Sequence, residues 1–189
     1  MGLDSVMLLK EWEDRFRITI SDYDAEKINT VQDSVEVISS YLKISNYDLI
    51  VRDGVYLKLK DQLFQILNRR IEFPELISNI IPETNKDAWS KIAEAIDLKI
   101  PVPVSSQSFL AETITNIFSS NKHRYNAVTI GQMADVICAA NYRKLIDIDK
   151  IKSKYELYIV VMAIAVEALG VDYYEVQPYK RYTSDFGID

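Results

Sequence analysis

Few side chains in this 189-residue chain are of types that do chemistry, and their spacing narrows the field. His123 is the only histidine and Cys138 the only cysteine. One imidazole excludes multi-histidine metal sites, and one thiol excludes an internal disulfide. A Ser/His/Asp arrangement would rest on His123 alone. That residue sits in a Ser-, Asn- and Lys-rich segment and reads as a solvated loop histidine. There is no Cys/His cluster of zinc spacing and no glycine-rich phosphate loop. Nucleophile, base and orienting group do not occur together, so no enzyme activity is expected. What is left is Ser5, at the head of the first amphipathic run, and an unusual density of carboxylates behind it. Either Asp4 or Ser5 reads as the cap of that run, accepting hydrogen bonds from free backbone N–H groups.

The carboxylates are concentrated. Residues 1–42 hold nine acids against four bases, a net of −5 out of the chain's −6. Charges of this kind solvate a helix face, and together they steer basic partners. A pI near 4.9 argues against an electrostatic nucleic-acid binder.

Amphipathic helices must position these groups. Val6, Leu8, Leu9, Trp12 and Phe16 form one stripe, with Lys10, Glu11, Glu13 and Asp14 facing away. Asp22 and Asp24 bracket a turn, and 25–28 reads as a brief helix. Thr30 then reads as an N-cap with Asp33 closing a short capping box, and Val31, Val35, Ile38 and Leu42 supply the next apolar face. Turn signals over 43–54 mark a module boundary. Helices are expected over 56–71 (periodic set Leu59, Leu63, Ile66, Leu67 and Arg70), over 86–96, over 109–118 and from Thr129 to about Tyr142. Pro74 and Pro82 frame one or two helical turns, and 100–104 reads as extended. The last helix is expected over 151–169; within it Tyr158 to Val166 is apolar all round, which suits burial on most faces, and Gly170 ends it. Residues 171–189 read as loop, with their tyrosines packing on a bundle.

A composition of 48% hydrophobic and 26% charged residues, with five Gly and five Pro, is that of a globular, all-α protein. The longest apolar run, 157–166, is about half of a membrane span. Charged Asp4, Lys10 and Glu11 interrupt the start, so no signal peptide is read, and a cytoplasmic location is expected.

The two ends of the chain resemble one domain in reversed order. Residues 3–42, through Phe16, Ile20 and the run Asp24-Ala25-Glu26-Lys27-Ile28-Asn29-Thr30-Val31-Gln32-Asp33, resemble the last three helices of an acyl carrier protein. Residues 154–189, with Ala168-Leu169-Gly170-Val171-Asp172, Glu175-Val176 and the closing Asp185-Phe186-Gly187-Ile188-Asp189, resemble the first helix and long loop of that family. The resemblance implies an acyl-carrier-like four-helix bundle built from 1–45 with 151–189, circularly permuted, plus a second helical module over 54–146. Closure within one chain is favoured; a domain-swapped homo-oligomer meets the same requirement. The stretch from Ala88 to Pro101 shares the rhythm of Met7 to Ser21, and 128–137 lines up with 29–38. The middle module is thus either a diverged copy or an unrelated helical module.

In that family a serine at the start of the second helix carries 4′-phosphopantetheine. A phosphodiester there meets unsatisfied N–H groups and the positive end of the helix dipole. The resemblance therefore implies a carrier or docking protein in fatty acid or polyketide type acyl-thioester metabolism. Aligned from Phe16 and the Ala25–Asp33 run, Gly2 falls on the serine position and the attachment site is absent. Aligned on Gly2-Leu3-Asp4-Ser5-Val6, Ser5 is the attachment serine. The first alignment has more matching residues. The family docks its enzymes on this helix, which implies Glu11, Glu13, Asp14, Asp24 and Glu26 as contacts for enzymes with basic patches. The alternative reading is a non-modified helical protein with a structural or regulatory role.

Overall fold

The computed structural model describes residues 3–68, 70–82, 85–102 and 128–187. Among them the fold is all-α. The helices are α1 (Leu3–Phe16), α2 (Asp22–Ala25), α3 (Val31–Leu42), α4 (Ile50–Leu67), α5 (Lys86–Ile96), α6 (Ile130–Ala140), α7 (Tyr142–Leu145), α8 (Lys154–Leu169) and α9 (Tyr182–Phe186), with single 3-10 turns at Ile77–Asn79 and Ile148–Lys150. Residues 109–118 and His123 lie outside the described residues.

The chain divides into two compact units, Met1–Val51 with Tyr142–Asp189, and Arg52–Asn141. In the first unit α8 packs on both α1 and α3. Its sequence explains why: from Leu157 to Ala165 every position but Tyr158 is buried, so no face of this helix is left to water over that stretch. Ser153 caps its start by accepting from the Glu156 N–H, and Gly170 at φ 67° ends it, a left-handed position that a Cβ would disfavour. Leu8, Trp12 and Phe16 from α1 and Val31, Val35 and Ile38 from α3 complete the core.

Thr30 begins α3 with a full capping box, its hydroxyl accepting from the Asp33 N–H while the Asp33 carboxylate accepts from the Thr30 N–H at 2.8 Å. The tail threads beside this cap. The N–H groups of Val31 and Gln32 donate to the carbonyls of Lys180 and Pro178, and the Tyr182 N–H donates to the Asn29 carbonyl. Thr30 and Arg181 form an isolated antiparallel bridge.

The second unit repeats this device with different residues. Thr129 caps α6 through a box with Gln132. The N–H groups of Ile130 and Gly131 donate to Glu75 and Phe73, the Ile77 N–H donates to Val128, and Leu76 bridges Thr129. The ends of α1 and α5 also match. Arg17 and Asp97 both take left-handed φ, and the next residue's N–H reaches back five positions, Ile18 to Glu13 and Leu98 to Ala93.

Several local expectations change. Asp4 and Ser5 lie inside α1, not at a cap ahead of it, because the helix already includes Leu3. Val6 is half exposed, off the core stripe. Helix α4 starts at Ile50, straight through the expected turn at Asp53-Gly54, and ends at Leu67. Its buried set is Val55, Leu59 and Leu63, while Ile66 is exposed and Arg70 lies beyond the helix. Asn141 breaks the helix expected to reach Tyr142, and the tail holds α9 in place of continuous loop.

Candidate functional site

A cleft of about 330 Å³ opens in the first unit beside the start of α1. Ser5, Leu8, Leu9 and Trp12 form one wall. Ala25, Glu26, Ile28 and Asn29, at the end of α2 and in the segment leading to α3, form the second. Tyr182 and Thr183 of the tail close it. The volume is at the small end of ligand pockets, which run from roughly 300 to 1,000 Å³. Its walls are mainly apolar, with Ser5, Glu26, Asn29 and Thr183 as the polar exceptions.

Helical spacing builds the first wall. Positions 5, 8, 9 and 12 fall on one face of α1 because residues three and four apart stack along a helix. Trp12 is only 2% exposed, and its ring lies 5.7 Å from that of Tyr182. Its indole Nε1 is buried with no hydrogen-bond partner among the described residues. The second wall is held by the Asp33 carboxylate, which accepts from both the Asn29 and Thr30 N–H groups. Burial pushes the Tyr182 phenol far above its usual pKa, so it stays protonated, and its hydroxyl lies 2.8 Å from the Ser34 hydroxyl.

Ser5 is half-buried in the wall of the cleft. Gly2, the other candidate for the attachment position, lies outside the described residues. Among the candidate docking acids, Glu11, Asp14 and Glu26 are exposed, and Glu26 also borders the cleft. Glu13 and Asp24 have local structural work. The Glu13 carboxylate accepts from the Ile20 N–H at 2.7 Å, pinning the turn after α1. Asp24 accepts from the Lys27 ammonium at 2.7 Å, the Tyr41 hydroxyl at 2.8 Å and the Ser21 hydroxyl at 3.0 Å. The lysine first, then the two hydroxyls, hold the Asp24 carboxyl below the usual range. Beside the acids, Val6 and Met7 are exposed on α1, at 50% and 55%.

A second, wider groove is lined by Arg15, Arg143, Lys144, Asp147 and Asp149, among others. Its charges are mixed and largely spoken for: Arg143 pairs with Glu167 at 2.9 Å, and Asp149 with Arg17 at 3.4 Å. Among the described residues no group of His, Cys, Asp and Glu could hold a metal ion, and no helix is long and apolar enough to cross a membrane. No protein-family model matches the chain, and no solved structure matches it at a significant level.

The sequence singled out Ser5 and the acids, but not the rest of the cleft. Its far wall comes from Tyr182 and Thr183, 177 or more positions from Ser5, so no local pattern announces it. The one sequence signal was the complementarity of the two chain ends.

Proposed function

We propose that this protein is an acyl-carrier-like carrier or docking protein of acyl-thioester metabolism, of the fatty acid or polyketide type. The observation that carries the reading is the apolar cleft with Ser5 in its wall. A carrier needs an attachment hydroxyl next to a space that shelters an acyl chain from water, and burying such a chain is favourable by about 0.8 kcal/mol per methylene. The tail-to-head closure supports it too, since α8 supplies the helix that α1, α2 and α3 lack. The matching backbone brackets at Thr30 and Thr129 favour reading the middle unit as a diverged copy of the same module.

On this reading 4′-phosphopantetheine is held through Ser5. Exposed Glu11, Asp14 and Glu26, next to Val6 and Met7, offer basic enzymes a charged rim around an apolar contact. Incubation with coenzyme A and a phosphopantetheinyl transferase, followed by intact mass, tests it. A gain of roughly 340 Da that is lost in Ser5→Ala is expected of a modified carrier.

The second reading is a non-modified helical interaction or oligomerisation protein. The position of Ser5 favours it, half-buried and inside a helix, where a transferase has less access than at a cap. No mass gain, with retained binding to an enzyme bearing a basic patch that Glu11→Lys and Asp14→Lys abolish, selects the docking role without the arm. A chain that neither gains mass nor binds such enzymes removes the carrier reading.

A further inference from the structure

The cleft carries one formal charge. Among the described residues that line it, Glu26 is the only side chain ionised at neutral pH, and none is basic. The Glu26 carboxylate has no hydrogen-bond or ion-pair partner among the described residues. The cations closest in sequence are held elsewhere: Lys27 pairs with Asp24 at 2.7 Å, and Lys180 with Asp185 at 3.4 Å. Beside the lining positions, exposed Asp4 and Arg181 carry opposite signs, as do Lys10 and Glu11 on α1. Glu26 therefore sets the field at the opening. Burial sorts the lining into an interior and a mouth. Leu8, Trp12, Ala25 and Tyr182 are buried, whereas Glu26, Asn29 and Thr183 are exposed. An amphiphile enters with its chain among the first group and keeps its polar head, in water, with the second.

We propose that the cleft selects aliphatic chains with a cationic head, of the primary amine class, over chains with an anionic head, with Glu26 as the selectivity-determining residue. This rests on the chain-sheltering reading of the same cleft, not on attachment of an arm to Ser5. No direct contact between carboxylate and head is required. A glutamate side chain reaches only a few ångströms from its backbone, so a head at the mouth lies within the Debye length of its charge, about 8 Å at physiological salt. The apolar walls contribute equally whatever head a given chain carries, so discrimination falls on the charge of the head. An ammonium is attracted, a hydroxyl is indifferent and a carboxylate is repelled. The mouth is open to water, so each step is small, of the order seen for exposed ion pairs. Among acyl thioesters the same selection favours chains aminated near the thioester and disfavours chains with a second carboxylate there.

The test uses the full chain with octylamine, octanol and octanoate, which share one chain and are cationic, neutral and anionic at neutral pH. Backbone N–H resonances are followed by NMR. The expected result is a shift at Leu8, Leu9 and Ile28 with all three ligands, and affinity that falls roughly threefold at each step from amine to alcohol to carboxylate. The steps should close at about 1 M salt, where the Debye length is about 3 Å. They should also close in Glu26→Gln, which removes the charge of an exposed side chain and nearly keeps its size. The chain's net charge of −6 would by itself favour the amine, and this variant separates the two: an ordering that survives it overturns the assignment to Glu26. Equal affinities while Leu8, Leu9 and Ile28 respond would overturn the charge selection and leave the chain-sheltering reading standing. No response of these residues to any of the three ligands would remove both.

Discussion

The Tyr182 hydroxyl lies 2.8 Å from the Ser34 hydroxyl, a buried contact between residues 148 positions apart. It ties the tail to α3 at the cleft's far wall, where the Tyr182 ring also meets Trp12. Ser34 has a second outlet, the Thr30 carbonyl at 3.3 Å, so removing the phenol does not orphan it. Tyr182→Phe should therefore cost only about 1 kcal/mol, the net value of a neutral hydrogen bond. Chemical denaturation would show it as a lower midpoint with an unchanged slope. A loss near zero would mean that the contact adds nothing in solution.

The same phenol makes stability depend on alkaline pH. Its folded pKa is raised by burial, while the unfolded chain's tyrosines ionise near 10. Its contribution is complete below about pH 10 and declines above it, because the unfolded state releases a proton that the folded state keeps. Tyr142 and Tyr173, whose pKa values burial also raises, add slopes of the same sign. The informative quantity is thus the difference between wild type and Tyr182→Phe, which should shrink as pH rises past 10. A difference that is constant with pH would contradict the assignment.

Local chemistry made much of this fold legible. Thr30 with Asp33, Thr129 and Gly170 each act on the backbone within four residues, so their roles are readable from spacing alone. The all-apolar stretch from Leu157 to Ala165 announced burial for the same reason. Tertiary packing overrode the signals elsewhere. Gly54 would end a helix by propensity, yet Val55, Leu59 and Leu63 bury one side of α4 and carry it through. The tail read as loop because α9 is five residues long, below what periodicity detects. The cleft was the least legible part, being assembled from three segments, with Trp12 read only as a member of the α1 apolar stripe.

Two glycines give opposite expectations. A Cβ on Gly131 would overlap the Phe73 ring, which packs over α6 with the Arg52 guanidinium 4.2 Å from its centre. Gly131→Ala should lose about 1–3 kcal/mol, the usual cost of overpacking. Gly54 lies within α4 with open space where a Cβ would sit, so Gly54→Ala should gain about 0.5–1 kcal/mol. Thermal melts of the two variants would move in opposite directions, and a shared sign would refute one of these placements.

Asp24 predicts the acid side. Its carboxyl is held low by Lys27, Tyr41 and Ser21, so whatever stability it contributes is present above the unfolded value near 3.9 and lost as pH falls through its lower folded value. Its surroundings are open to water, so the effect is small and screened by salt. NMR titration should give Asp24 an inflection below the usual carboxylate range. Lys27→Met should move that inflection upward, and an unmoved inflection would assign the shift to the hydroxyls instead.

The paired capping boxes allow a test of the proposed repeat. Thr30 and Thr129 do the same job in the two units, so Thr30→Ala and Thr129→Ala should each remove about 1 kcal/mol. The loss should appear locally. Hydrogen exchange in Thr30→Ala should quicken along Val31–Leu42 and at the tail amide of Tyr182, which donates to Asn29 beside the cap. In Thr129→Ala it should quicken along Ile130–Ala140 and at Ile77, which donates to Val128 in the matching place. Equal costs with these two separate footprints follow if one backbone device is used twice. A Thr129→Ala variant that loosened only α6 and left Ile77 protected would break the correspondence, since the bridge partner would then not depend on the cap.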